Sequence, residues 1–158
     1  MTIRPRLWKR PEQGSVAVEM AIILPIFLTM LAVPLFLACV FWFYSVGQKA
    51  AHDAARYLST ATQAEMRTAG GGFNEAAVAA TARWIAQQEL VGILPLTDSI
   101  LIDIKCNNVA CGAAVPTTVH VDIQISMHDP IMNNLTAKYI GDTNLLLASS
   151  VTLRYVGG

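Results

Sequence analysis

The sequence is short of the groups that carry chemistry. Its 158 residues include only three histidines and three cysteines. It has no glycine-rich phosphate loop, no nucleophile elbow and no histidine-centred triad, so catalysis has no candidate residues. Lys+Arg and Asp+Glu are equal at 11 each, which leaves no basic footprint for nucleic acid. No internal repeat or low-complexity tract is present. The most informative shortage is local: residues 20–44 contain no charge at all, and the next charged side chain is Lys49. No solvent-exposed helix of a soluble domain is built that way.

That uncharged run is 25 residues long, where about 20 suffice to cross the hydrocarbon of a bilayer. An ordinary secretory signal has an apolar stretch of only about 7–15 residues. Pro25 and Pro34 fall inside the run, and each removes a backbone donor. In lipid a strand or loop is worse still, because every backbone polar group must be satisfied within the segment, so the expectation is one bent transmembrane helix. Before it stand Arg4, Arg6, Lys9 and Arg10 with one acid, Glu12. Such a leader keeps the N-terminus cytoplasmic and sends the remainder across the membrane.

Beyond the run, Ala50, Ala51, Ala54, Ala55, Leu58 and Ala61 form an apolar stripe beside Gln48, Lys49, Asp53 and Arg56, as on a helix with one buried face. Asp53 and Arg56, three apart, can meet on the polar side. The helix is expected to leave the membrane as a stalk reaching about residue 68, until Gly70, Gly71 and Gly72 end it. Asn74 is placed to cap a second helix, with Glu75 in its first turn. That helix would run to about Val91 on a broad face of Ala77, Val78, Ala82, Trp84, Ile85 and Val91. Three stretches then alternate with period two: 99–105 with Ile100, Ile102 and Ile104; 119–127 with Val119, Val121, Ile123, Ile125 and Met127; and 145–155 with Leu145, Leu147, Val151, Leu153 and Tyr155. The fold expected is α+β and pilin-like: a long N-terminal helix, a second helix and a small, mainly antiparallel three-stranded sheet. Its divisions would be a leader at 1–14, the membrane helix at 15–44, a stalk at 45–69 and an exported domain at 70–158. The connection 129–143 holds Pro130 and Asn133-Asn134, with room for a helical turn.

Cys106 and Cys111 flank Asn107-Asn108 in the exported part, which in an oxidising compartment reads as a small disulfide loop. Half of a zinc site is the rival reading, but a second ligand pair at suitable spacing is missing. His120 and Asp122 share a strand face with His128 farther along. A solvated polar face explains them better than a metal, and no cofactor is called for. Asn134-Leu135-Thr136 fits a glycosylation sequon, a frequent chance match.

Gly14-Ser15-Val16-Ala17-Val18-Glu19-Met20, the apolar stretch reaching Leu24-Pro25, and Gln48-Lys49-Ala50-Ala51-His52-Asp53-Ala54-Ala55-Arg56 together resemble the TadE-like family of the Tad (Flp, tight adherence) pilus machinery. Met20 departs from the aromatic residue usual after the glutamate. The resemblance implies a pseudopilin: a minor pilin-like subunit cut by a prepilin peptidase after Gly14, leaving Ser15 as the new N-terminus, and needed for pilus assembly, adhesion and biofilm formation. Its partners would be that peptidase, other pilins, the inner-membrane assembly platform and membrane lipid. Glycine suits the scissile position because it lacks a Cβ. Glu19, an acid at the edge of a membrane helix, is costly to bury unpaired, and the Ser15 amine one turn away, or that of a neighbouring subunit, is its natural partner. The alternative is an unprocessed, single-pass anchored interaction protein.

Overall fold

A computed structural model describes residues 13–68, 76–112, 114–128 and 144–157. The leader before Gln13, the three glycines with Asn74 and Glu75, and the connection with its sequon lie outside these residues. Among the described residues the elements are α1 (Gln13–Thr60), α2 (Gln63–Arg67), α3 (Ala77–Leu90), a 3-10 segment (Val91–Leu96), β1 (Thr97–Cys106), β2 (Val109–Ala110), β3 (Thr118–His128) and β4 (Asn144–Arg154). The chain divides into two compact units, residues 1–35 and 36–158.

The described part of the first unit, from Gln13 on, is helical. α1 continues through Pro25 and Pro34, and the hydroxyl of Thr29 donates to the carbonyl of Pro25 at 2.7 Å, the back-bonding habit of Thr in a helix. Val16, Val18, Ile22, Ile23, Ile26, Phe27 and Met30 are all more than half exposed, so nothing among the described residues covers this apolar surface.

The second unit begins on the same helix. From Phe36 the burial of α1 becomes periodic: Phe36, Cys39 and Val40 are partly buried, and Phe43, Ala50, Ala51, Ala54, Ala55 and Leu58 are at most 1% exposed. These positions recur every three or four residues, one face of a 3.6-residue helix. Their small size lets the helix lie close on the sheet. A Cβ built on Gly47 would stand 3.0 Å from Cδ1 of Ile125 and 3.6 Å from Cβ of Ser149. Residues 36–60 are therefore a core helix of this unit, taking in the end of the expected membrane helix (15–44) and the first part of the expected stalk (45–69).

The sheet is four-stranded, ordered β2-β1-β3-β4, with every pairing antiparallel. Three strands were expected. The fourth, β2, is two residues long, and alternation cannot reveal so short a strand. Val119, Val121, Ile123, Ile125 and Met127 of β3 are fully buried, as the period-two pattern requires. Ile100, Ile102, Leu147, Val151, Leu153 and Tyr155 pack at the margins of the same core.

Two helix boundaries differ from expectation. α1 stops at Thr60, and Thr62 opens α2 with a capping box: its hydroxyl accepts from the Glu65 N–H while the Glu65 carboxylate accepts from the Thr62 N–H at 2.8 Å. A side chain that satisfies orphan amides in this way favours a fresh start over continuation. α3 is capped by Ala76 and buries Val78, Ala79, Ala82, Ala86 and Leu90, while Trp84 and Val91 are 59% and 50% exposed. The smaller alanines face the core because they allow close approach, leaving the indole outside. Across the helices, Lys49 pairs with Glu89. Asp53 forms no ion pair with Arg56 among the described residues.

The chain end closes the unit. The Tyr155 hydroxyl donates to the Ala61 carbonyl at 2.7 Å, and the Val156 N–H donates to the Ser59 carbonyl at 2.9 Å. These bonds satisfy carbonyls that the end of α1 leaves without helical partners.

Candidate functional site

Gly14 and Ser15 lie in the first turn of α1, which begins at Gln13. Amides of a first turn have no intrahelical acceptors, so the Gly14–Ser15 bond sits where a helix frays most easily. Glu19 follows Ser15 by four residues on the same helix and is exposed. Side chains four apart stack on one face, which puts the Glu19 carboxylate on the side of the helix that carries position 15. No hydrogen bond or ion pair engages Glu19 among the described residues.

Cys106 and Cys111 form a disulfide with their Cα atoms 4.9 Å apart, and both are buried. Between them Asn107 and Asn108 have φ of 52° and 65°, the left-handed pair of a type I′ turn, and Cys106 faces Val109 across it. Asparagine tolerates that conformation better than other non-glycine residues. The Asn107 side-chain oxygen also accepts from the backbone N–H of Thr117 at 2.9 Å and of Thr118 at 3.0 Å. The Cys111 carbonyl accepts from the N–H of Ala76 at the start of α3. The bridge thus fastens hairpin, sheet and helix together and is structural. The sequence places Asn107-Asn108 only within the disulfide loop; the hydrogen bonds that the Asn107 side chain accepts from Thr117 and Thr118 depend on the fold.

His120 and Asp122 sit on the outer face of β3. His120 Nδ1 is 2.7 Å from the Thr152 hydroxyl, directly opposite on β4, and the Gln124 amide donates to Asp122. Asp103, facing Asp122 on β1, is paired with Lys105 at 2.6 Å. Hydrogen bonding to Asp103 raises the Lys105 pKa above its ordinary value, with the Asp103 charge second and Asp122 a smaller contributor. Among the described residues no group of three or more His, Cys, Asp or Glu is placed to hold a metal ion. His128 ends β3.

The electrostatic perturbations elsewhere are local. The Lys49 pKa is raised by its hydrogen bond and charge interaction with Glu89. That of Glu65 is lowered because its carboxylate accepts from Thr62. These groups are exposed and belong to the caps and seams of the fold.

The molecule is therefore of a definite class: a small α+β unit carried on a helix long and apolar enough to cross a membrane. Residues 14–56 match the family model described as TadE-like protein, a match lying wholly within α1. The resemblance read from the sequence holds over that segment. No curated protein and no solved structure matches the chain.

Proposed function

We propose that this chain is a minor pilin-like subunit, a pseudopilin, that serves Tad pilus assembly from the inner membrane and supports adhesion and biofilm formation. It acts as a structural component with no catalytic role. The N-terminus faces the cytoplasm, the chain beyond the membrane helix, from about residue 45, is directed to the periplasm, and a prepilin peptidase removes the leader between Gly14 and Ser15. The observation that carries the reading is the coincidence of the TadE-like match with α1: Gly14, Glu19 and an exposed apolar helix occur in one continuous segment, preceded in the sequence by the basic leader.

In this mechanism α1 has two successive roles. In the bilayer its exposed apolar surface is solvated by lipid. On assembly the same surface packs against helices of other pilins, and the Glu19 carboxylate pairs with the amine of a neighbouring Ser15. An acid near the centre of a membrane helix costs about 2.5–3.5 kcal/mol on insertion scales, so pairing favours the axial register that brings the two charges together. Intact mass of the protein purified from membranes tests the first step, with loss of residues 1–14 as the expected result. A full-length mature chain would instead favour the permanently anchored interaction protein. Pilus counts in a deletion strain complemented with this chain test the second. Wild-type piliation without the chain would exclude an assembly role.

A further inference from the structure

The second unit has an apolar end, and its position along α1 can be worked out. α1 and β4 run in the same direction, because Gly47 lies by Ser149 while Ala61 receives the Tyr155 hydroxyl. The spacing agrees: the helix advances about 21 Å between those contacts at 1.5 Å per residue, and the strand about 20 Å at 3.4 Å. α3 runs the opposite way, since Ala77 at its start bonds to Thr68 and Glu89 near its end pairs with Lys49. The 3-10 segment Val91–Leu96 therefore continues from the level of Lys49 back toward the apolar part of α1.

Two routes give its level. Starting at Lys49, six residues at about 2 Å each span about 12 Å, or about eight residues of α-helix, reaching the level of Phe41. Along the sheet, Ile125 touches position 47 and Met127 faces Thr97. Two strand residues, about 7 Å, put Thr97 level with Phe43. Both routes bring the segment to the level of Trp42 and Tyr44, which are 48% and 44% exposed and close the uncharged run. Aromatic residues at the end of a membrane helix mark the interfacial layer.

The segment is apolar where water would be expected. Val91, Leu94 and Leu96 are 50%, 51% and 39% exposed. Leu146, opposite Ser126, is 64% exposed at the same end of the sheet. Elsewhere in the unit Trp84, Leu101, Val109 and Val156 are exposed singly, as is ordinary on protein surfaces. Among the described residues the charged groups near this level are Lys49 and Glu89, joined to each other, and Asp98. A headgroup layer accommodates all three.

We infer that the 3-10 segment is a lipid-contacting foot: Val91, Leu94 and Leu96 enter the interfacial layer of the bilayer that α1 crosses, seating the folded unit on the membrane. The inference rests on α1 being a membrane-spanning helix. Seating fixes the rotation of α1 about its axis by a second contact, and extraction into a pilus must break that contact.

The test uses the full-length Cys39→Ser protein in phosphatidylcholine vesicles, with one fluorophore attached through Leu94→Cys, Val91→Cys, Tyr44→Cys, Val109→Cys or Phe27→Cys. Quenching by nitroxide-bearing lipids reads depth, and quenching by iodide reads water. Labels at Leu94 and Val91 should report lipid within about 5–10 Å of the headgroup boundary, as at Tyr44. The Val109 label should respond to iodide alone. Lipid quenching at Phe27 with iodide quenching at both Leu94 and Val91 would overturn the foot and leave the span standing. Iodide quenching at Phe27 would remove the span and the foot with it. Labels at Leu94 and Val91 shielded from both quenchers would mean that protein covers the segment, which also overturns the proposal.

Discussion

Gly47 is the position at which the helix-to-sheet packing can be tested most sharply, because two effects of known size oppose each other there. Replacing a helical glycine by alanine gains about 1 kcal/mol of helix propensity. Against this, the new Cβ would meet Ile125 Cδ1 at 3.0 Å, tighter than ordinary contact, and overpacking a core costs about 1–3 kcal/mol. The contacted atom is the tip of a flexible side chain, so it yields at the lower end of that range. Gly47→Ala is expected to fall within about 1 kcal/mol of wild type, a shift of about 2–4 °C or less in unfolding midpoint for a chain of this size. Gly47→Val adds two further carbons and branches toward both Ile125 and Ser149, whose Cβ is already 3.6 Å from the first carbon. The loss should then reach about 3 kcal/mol. Ile125→Val in the Gly47→Val background removes the opposing methyl and should recover part of the loss, a non-additivity that only contact between the two sites produces. Thermal unfolding of the detergent-solubilised protein, followed by near-UV circular dichroism, measures these three variants, the Ile125→Val single variant and wild type. If Gly47→Val melted with wild type, or Ile125→Val failed to rescue it, α1 would not pack on β3 as described.

Three other outcomes are expected. Replacing both Cys106 and Cys111 by alanine should cost about 2 kcal/mol, the chain-entropy value for so short a loop, measured by the same melts; no loss would mean that the Asn107 hydrogen bonds hold the hairpin unaided. Glu65 has its pKa lowered by the Thr62 amide, so its contribution is present above the usual carboxylate range and disappears as pH falls through the lowered value. Hydrogen exchange of the Thr62 amide should accelerate on acidification beyond its intrinsic pH dependence, and this excess should be absent in Glu65→Gln. Glu19→Ala should insert and still be largely cut, because Gly14 and the leader are intact, yet fail to yield pili, with Glu19→Asp partly active; wild-type pilus numbers in Glu19→Ala cells would refute the charge pairing.

What the sequence by itself determined is whatever depends on contrast between neighbouring residues. An uncharged run between Arg10 and Lys49, interrupted only by Glu12 and Glu19, is visible because charge and hydrocarbon are incompatible. β1, β3 and β4 were legible because polar and apolar residues alternate along them, and the alanine stripe from Ala50 because polar residues flank it. Tertiary structure decided what lacks such contrast. Inside the apolar run every face of α1 is apolar, so nothing in the order of residues tells that Phe36, Cys39, Val40 and Phe43 pack on the core while Phe41 and Trp42 do not. Only the sheet, contributed by residues 50 to 110 positions later, selects that face. On α3 the pattern admitted Trp84 to the apolar side, but the close approach of neighbouring elements favoured alanine and turned the indole outward. β2 exists because a two-residue turn and a disulfide hold Val109 and Ala110 against β1, and the break after Thr60 because Thr62 and Glu65 cap each other. Each of these choices is made by partners meeting in space, and periodicity along a single segment does not encode them.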